Sequence, residues 1–315
     1  MGIKRVIETI KRSKSFLIGT HRDVEGDALG SMLGIYFLLR RLKKKVYMYH
    51  FQAVPLNYRF MPAASEIDSK PPSGRFDAGI ILDCSDVSRL GKSGKAFLKA
   101  DTIVNIDHHV SNTRFADINF VDPRASSAAE LVYRLYKKFF PKLSKDSAVC
   151  LYTGMFTDTG SFSYVHTGSY VHKAVSDLIA CGVSPVKIYH NVYSSLRPED
   201  VLFIGKALSS LRSGAKGKIV WIKTNKWIDS AYGDLSDTIF YNLRLIKGAE
   251  VLVLIKRIGK KSVRVNFRSK GKVNVNKIAK FFGGGGHHNA SGTTIEGDSI
   301  NSVEKKVISF IKRHL

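Results

Sequence analysis

The sequence predicts an α/β protein in which an N-terminal domain with a doubly wound parallel sheet faces a smaller α+β C-terminal domain across a cleft. In the first half of the chain, short apolar runs rich in β-branched residues alternate with helical patterns, which is the order of a parallel sheet. The length of 315 residues suggests about two domains, because single cores stop growing near 250 to 300 residues. The glycine- and lysine-rich stretch 213–218 is the strongest boundary signal. We therefore expect domains at 1–193 and 214–315, joined by a helical linker at 194–213.

Hydrophobic periodicity predicts each element of the first domain in turn. Four short apolar runs indicate strands at 15–20, 45–49, 76–82 and 102–107. Apolar residues at helical spacing predict helices at 27–42, 87–99, 126–139, 145–156, 170–180 and 185–193. The linker is expected to contain one more helix, at 198–211. In the second domain, alternation predicts strands at 219–223, 251–258 and 262–267, with helices at 275–281 and 300–314.

Composition limits the class of protein and its partners. The net charge is +24, and residues 214–315 carry +13 of it, which suits a phosphate-bearing ligand. A lysine-rich proteome with solvated helix faces is the simpler explanation for any single cluster. No apolar run reaches the ~20 residues that span a bilayer, and the N-terminus has no signal-peptide core. Three scattered cysteines indicate neither a disulfide framework nor a zinc ribbon. We expect a cytoplasmic protein without a membrane or obligate protein partner, and leave a homodimer open.

Acidic and histidine side chains follow the predicted strands at the points where the strands end. The run 102–107 leads into Asp107, His108 and His109, and open α/β sheets bind their ligands at the carboxyl ends of strands. Five further donors follow other predicted elements, and together with His108 they make six: His21, Glu25, Asp27, Asp83, His108 and Asp158. Some of them have ordinary alternatives: Asp83 suits a helix N-cap or a turn, Asp158 a turn beside glycine, and the histidine pair a packed or exposed loop.

Taken together, these donors predict a metal centre. Six oxygen or imidazole donors from four separate places suggest two divalent cations bridged by a shared carboxylate. No cysteine takes part, so the donor set favours Mn²⁺, with Mg²⁺ as the alternative, over structural zinc.

A second candidate site lies in the C-terminal domain. Gly284, Gly285 and Gly286 belong to a run of four glycines followed by His287, and exposed backbone N–H groups of such a run can bind a phosphate. Arg264, Asn266 and Arg268 alternate along a predicted strand, so that Arg268 could form a two-pronged contact with a phosphate. A flexible loop and a solvated strand face are the respective alternatives.

These motifs, in this order, resemble the DHH phosphoesterase superfamily with its DHH-associated C-terminal domain. The resemblance is carried by His21-x3-Glu25-x-Asp27, Asp83, Asp107-His108-His109, Asp158-Thr159-Gly160 and Gly284-Gly285-Gly286-His287-x2-Ala290. It covers nearly the whole chain. The two-domain length, Arg268 and the glycine run favour the NrnA-type branch, the bifunctional oligoribonucleases and pAp phosphatases.

The resemblance implies a role for each candidate residue. His21 and Glu25 would bind one metal, Asp27, His108 and Asp158 the other, and Asp83 both. His109 would contact the scissile phosphate, and Asp107 would orient a histidine, so that His109, Asp107 and Asp83 form the catalytic set. The substrate's terminal phosphate or nucleotide end would bind to Arg268, Gly284, Gly285, Gly286 and His287.

The implied function is hydrolysis of very short oligoribonucleotides, pAp or both by two-metal hydroxide attack. Two alternatives stay open: a cyclic-dinucleotide or pApA phosphodiesterase, and a non-catalytic nucleic-acid-binding module with a decayed site. The second arises because Glu25 stands where the family usually has aspartate. We expect Glu25 to remain a ligand, with Gly26 supplying the backbone freedom that its extra methylene requires.

Overall fold

A five-stranded parallel sheet forms the centre of the first of two units, Met1–Ser195, in a computed structural model that describes residues 2–164, 166–193, 196–225, 235–286 and 288–315. The elements of this unit in chain order are α1 (Gly2–Arg12), β1 (Ser15–Thr20), α2 (Gly26–Arg41), β2 (Lys45–Met48), β3 (Ala78–Leu82), α3 (Gly94–Phe97), β4 (Ile103–Asp107), β5 (Ile118–Val121), α4 (Ala128–Phe139), α5 (Lys145–Asp158), α6 (Ser169–Ala180) and α7 (Pro185–Tyr193). The strand order is β2-β1-β3-β4-β5.

The register of the sheet brings three strand ends to one edge. Thr20 of β1 pairs with Leu82 of β3, and Leu82 pairs with Ile106 of β4. These strands are almost wholly buried, as their apolar runs predict. Because all three run in the same direction, the residues that follow them lie side by side.

Helices α2 and α5 pack closely beside this sheet, and glycines allow the approach. A Cβ on Gly30 would lie only 2.5 Å from the backbone oxygen of Cys150, so a side chain there would push the helices apart. Each helix carries one acidic candidate at an end: Asp27 lies in the first turn of α2, and Asp158 is the last residue of α5.

The predicted helix at 87–99 is wrong as one continuous element. The chain forms a 3₁₀ segment, Val87–Ser93, and then the short α3. Gly91 interrupts the 3₁₀ segment with φ 55° and ψ −131°, a backbone conformation that helices do not contain. The sequence analysis also did not predict α1 or β5, because α1 is rich in charged residues and β5 is only four residues long.

The second unit, Leu196–Leu315, contains a six-stranded mixed sheet. Its elements are α8 (Pro198–Leu208), β6 (Arg212–Gly214), β7 (Ile219–Thr224), α9 (Ser236–Arg244), β8 (Val251–Arg257), β9 (Ser262–Ser269), α10 (Val275–Phe281), β10 (Gly285–Gly286), β11 (Ala290–Glu296) and α11 (Ile300–Arg313). The strand order is β10-β11-β9-β8-β7-β6, and only β7 and β8 are parallel neighbours.

Both faces of the second sheet are covered by helices. Alternate residues of β7 and β8 divide between two apolar clusters, one with α10 and α11 and one with α8 and α9. Helix α8 of the predicted linker therefore contributes to the core of this unit. Among the residues that the structure describes, no helix has the length and apolar character needed to cross a membrane. The predicted fold class, a parallel α/β sheet followed by an α+β unit, is confirmed.

Candidate metal centre

Eight acidic and histidine side chains meet at the carboxyl edge of the parallel sheet. His21 follows β1, Asp83 follows β3, and Asp107 ends β4 directly before His108 and His109. Three groups of side chains have ligand atoms within 4.8 Å of one another: His21 with Glu25 and Asp83, Asp27 with His108 and Asp158, and Asp83 with His108 and His109. All six residues predicted as metal ligands thus occur in these groups.

Asp83 is central to the arrangement because its two carboxylate oxygens face different partners. Its Oδ2 lies 3.2 Å from His21 Nε2, whereas its Oδ1 lies 3.6 Å from His108 Nε2 and 3.4 Å from His109 Nδ1. The residue has φ 52°, a left-handed conformation that aspartate tolerates and that turns the chain sharply after β3. Asp83 is 3% exposed, and its Oδ1 has no hydrogen-bond partner among the described residues.

Glu25 has a structural task in addition to its place in the first group. It is the N-cap of α2, and its two oxygens accept hydrogen bonds from the backbone N–H groups of Asp27 (2.9 Å) and Ala28 (2.7 Å). The predicted role of Gly26, to supply backbone freedom beside Glu25, is wrong, because Gly26 is the first residue of helix α2 and does not have a left-handed backbone. Its lack of a side chain matters instead because a Cβ would lie 2.3 Å from Thr157 Oγ1.

Asp27 is fixed by a second helix. Its carboxylate accepts hydrogen bonds from the N–H groups of Ala128 (2.6 Å) and Ala129 (2.8 Å) at the start of α4. Helix N-termini favour negative charge, so α4 orients this carboxylate while the same group lies 3.9 Å from His108 Nε2. The distance from His108 Nε2 to Asp158 Oδ2 is 3.3 Å.

Two asparagines that were not predicted from the sequence, Asn105 and Asn112, support Asp107. Asn112 donates hydrogen bonds to Asp107 Oδ2 (2.5 Å) and to Asn105 Oδ1 (2.8 Å). The other oxygen of Asp107 lies 2.6 Å from His109 Nδ1, so this network orients the second histidine of the pair. Asn105 is fully buried in the middle of an apolar strand. An asparagine inside an apolar strand could have indicated this network from the sequence, because a buried polar group requires hydrogen-bond partners.

Three carboxyl groups of the centre have pKa values above the ordinary range. Burial, followed by the charges of Asp27 and Glu25, raises the pKa of Asp83 well above its ordinary value. Burial and then the charge of Asp158 raise the pKa of Asp27 and of Glu25 in the same way. Neighbouring carboxylates of the centre therefore repel one another, and a cation is what would keep them ionised together.

The histidines and Asp107 differ in their environments. Burial, with the nearby positive charges of Arg89 and His109, lowers the pKa of His21 to about 3, so its imidazole is neutral at pH 7, the form that binds a metal. Burial opposes a rise in the pKa of His108, but the carboxylates of Asp158 and Asp27 outweigh it. Burial likewise opposes ionisation of Asp107, yet its hydrogen bond with His109 brings its pKa to about 2.

The donor set fits hard divalent cations. It contains carboxylates and imidazoles, and Cys84 beside Asp83 points its thiol to the backbone oxygen of Asp86 instead. Asp83 has a carboxylate oxygen with no hydrogen-bond partner in the described part of the chain, and this oxygen and the clustered carboxyl groups both fit bound metal ions.

The second predicted site lies within the second unit. Two of its glycines, Gly285 and Gly286, form β10 and pair with Gly292 and Ser291 of β11. A Cβ on Gly284 would lie 2.3 Å from the oxygen of Gly292, so that position requires glycine. This part of the run is therefore paired strand rather than a flexible loop. His287 lies outside the described residues.

Arg268 lies on the same sheet, on the far side of β11, opposite Ala290. As predicted, Arg264, Asn266 and Arg268 share one face of β9, because the residues between them are buried. The guanidinium of Arg268 lies 4.8 Å from the ring centre of Phe240 and 3.1 Å from Asp237 Oδ1. Its side chain is thus held in place by a cation–π contact and an ion pair.

Comparison with known proteins places this geometry in a family. The family model described as the DHH family, N-terminal domain, matches residues 15–155, and that of the DHHA1 domain matches residues 216–313. The chain is 29% identical over 99% of its length to the bifunctional oligoribonuclease and PAP phosphatase NrnA of Thermus thermophilus, covering 94% of that protein. It is 25% identical to the protein of the same name from Bacillus subtilis, with 98% of each chain covered.

A solved structure has the same architecture over nearly the whole chain. An exopolyphosphatase-related protein from Bacteroides fragilis superposes with a TM-score of 0.90 at 26% identity, covering 99% of this chain and 96% of that one. The chain therefore belongs to the DHH family of metal-dependent phosphoesterases, hydrolases that act on phosphoester bonds, and its C-terminal part is a DHHA1 domain.

Proposed function

We propose that this chain hydrolyses very short oligoribonucleotides and pAp with two divalent metal ions. The observation that carries the proposal is Asp83, whose two oxygens face two separate sets of donors. The choice of substrate is supported by relatives named as oligoribonucleases and PAP phosphatases, which the chain matches over nearly its full length. Such substrates occur in the cytoplasm, where we propose that the chain acts.

In this proposal each set of donors holds one metal. His21 and Glu25 would bind the first, Asp27, His108 and Asp158 would bind the second, and Asp83 would contribute to both. When bound, two such ions would supply an activated water and positive charge that stabilises the transition state. Carboxylate and imidazole donors favour Mn²⁺, with Mg²⁺ as a weaker substitute.

The protein's own groups orient the substrate. His109 contacts the scissile phosphate through Nε2, because its Nδ1 is hydrogen-bonded to Asp107. Asp107 is itself held by a hydrogen bond from Asn112. In the DHHA1 domain, Arg268 and the glycine segment 284–286 bind the terminal phosphate, together with His287. Support comes from the fixed guanidinium of Arg268 and from Gly285 and Gly286, which are exposed in the edge strand β10.

A substrate panel tests the proposal directly. The full-length protein with Mn²⁺ is incubated with pAp, pApA, cyclic di-AMP, RNA from dinucleotides to 24-mers, and matched DNA. We expect pAp and the shortest RNAs to have the highest kcat/KM, and EDTA to abolish hydrolysis.

Two outcomes would contradict this proposal. Preference for cyclic di-AMP or pApA would favour the phosphodiesterase alternative, which uses the same metal chemistry. RNA binding without hydrolysis of any substrate, in protein shown to contain metal, would favour the decayed-site alternative.

A further inference from the structure

A concave surface in the second unit has no place in the proposed hydrolysis. A cavity of about 350 Å³ lies against α10 and α11, and its walls include Phe281, Phe282, Phe310, Lys305, Lys306 and Arg313. This volume is in the range of small-molecule sites. The cavity shares no residue with Arg268 or with the glycine segment 284–286. We call it the aromatic cavity.

Its aromatic wall is a ready-made stack of rings. Phe281 and Phe310 lie 4.1 Å apart with an interplanar angle of 23°, and Phe310 and His314 lie 4.1 Å apart at 26°. Phe310 is thus enclosed between two rings, whereas Phe281 at the end of the stack is 66% exposed. Phe282 meets both phenylalanines edge-on and fixes their orientation. A further flat ring would extend this stack on Phe281.

Cations surround the stack. Lys305, Lys306 and Arg313 line the same cavity, and all three are exposed residues of α11. Lys306 is held by an ion pair with Asp298 at 2.8 Å. An aromatic face beside several cations is the combination that binds single-stranded nucleic acid, because bases stack on rings while phosphates meet positive charge.

Charge also decides between possible occupants. A second copy docked through the same face would bring its lysines and arginine against those of the first, in a chain whose net charge is already +24. A lipid surface is anionic, but it offers no flat ring to a concave cavity whose end ring is exposed. Single-stranded RNA supplies both the ring and the negative charge.

We propose that the aromatic cavity binds an unpaired base of single-stranded RNA, with the base stacked on Phe281 and flanking phosphates near Lys305 and Arg313. This site shares no residue with the candidate metal centre. It would hold RNA by a segment that is not being cut. Binding needs no metal, so the proposal stands or fails independently of the proposed hydrolysis.

The test measures RNA binding by the full-length protein in EDTA, using a fluorescent 24-mer RNA and fluorescence anisotropy. Base stacking on one ring corresponds to about a 5- to 150-fold change in affinity, so Phe281→Ala should raise Kd within that range. Phe281→Trp should retain affinity, whereas Phe281→Leu, which keeps the apolar surface but not the aromatic face, should not. Tyr241→Ala is the matched control, because Tyr241 of α9 is 67% exposed and lies outside the cavity. Hydrolysis of a dinucleotide with Mn²⁺ should be unchanged in every variant.

Two further measurements give independent readouts. Lys305→Ala and Arg313→Ala should each reduce the slope of log affinity against log salt by about 0.7. Wild-type protein irradiated with RNA that contains 4-thiouridine should form cross-links within residues 275–282 or 300–314, which exclude the glycine segment 284–286. An unchanged Kd in Phe281→Ala, full affinity in Phe281→Leu, or cross-links that avoid both of these segments would each overturn the proposal. If Phe281→Ala retains its affinity for RNA but loses binding to anionic vesicles, the surface would be assigned to a membrane instead. If it retains that affinity but loses dimerisation, the surface would be assigned to a second copy of the chain.

Discussion

Replacement of Asp83 by asparagine should separate metal binding from folding. Asparagine keeps the size of the side chain but removes its charge and replaces one oxygen donor with an amide. Because Asp83 Oδ2 faces His21 and Oδ1 faces His108, the change weakens both donor sets at once. We expect kcat/KM on pAp to fall by at least about 10²- to 10³-fold, the usual loss when one preorganised electrostatic contact of a catalytic site is removed.

The same substitution should stabilise the metal-free protein. Asp83 is 3% exposed, its Oδ1 lacks a hydrogen-bond partner among the described residues, and burial raises its pKa well above the ordinary value. A buried unsatisfied polar group costs about 1 to 3 kcal/mol. At roughly 2 to 4 °C per kcal/mol for a domain of this size, the Tm in EDTA should rise by about 2 to 12 °C.

Bound metal should make the wild-type protein more stable than Asp83→Asn. At a concentration of Mn²⁺ about 100 times its Kd, the wild-type protein should gain about 2.7 kcal/mol, and Asp83→Asn should gain much less. Scanning calorimetry with and without EDTA, with metal content measured in parallel, gives both quantities. Asp177→Asn is the control, because Asp177 lies outside the metal centre and pairs with Tyr133 and Lys137. A variant that binds two metals with wild-type affinity and turns over normally would refute the bridging role.

Three further predictions follow from other residues. Arg268→Ala should raise KM for pAp and dinucleotides about ten- to a hundredfold, because a hydrogen bond to a charged group contributes about 1.5 to 3 kcal/mol, while metal content stays constant; a loss of manganese would contradict this assignment. Glu25→Ala should lower Mn²⁺ affinity and also destabilise the protein by about 0.5 to 2 kcal/mol through loss of the α2 N-cap, and an unchanged Mn²⁺ titration would show that Glu25 is only a cap. Glu304→Gln should destabilise the second unit by about 1.5 to 3 kcal/mol, measured by urea unfolding, because Glu304 accepts hydrogen bonds from Lys223, Trp221 and Arg212. Burial alone would raise the pKa of Glu304, but the hydrogen bonds from Lys223 and Trp221 lower it. The stability that Glu304 contributes is therefore present above pH 4.5 and is lost as the pH falls through the lowered pKa. A wild-type protein whose stability depends on pH no more than that of Glu304→Gln would contradict this prediction.

The sequence by itself determined the fold class and the candidate residues. Continuous apolar runs predicted β1, β3 and β4, because strands buried on both faces consist of such runs. The residues directly after those runs, among them His21 and Asp83, were identifiable for the same reason. Their nearness followed from a general rule, since parallel strands that end together bring their next residues to one edge. Local signals failed where the backbone departs from regular geometry, as at Gly91, whose φ of 55° divides a predicted helix.

Only the tertiary structure decided how the side chains are held. The contact of Asp27 with the N-terminus of α4 joins residues about a hundred positions apart, and no local pattern predicts such a pairing. The division of Asp83 between two donor sets depends on its left-handed backbone and on the alignment of three strands. The stack of Phe281 on Phe310 arises because α10 and α11 cover the same face of the second sheet. Distances between side chains on separate elements depend on packing in three dimensions, whereas periodicity along the chain reports only which face of each element is buried.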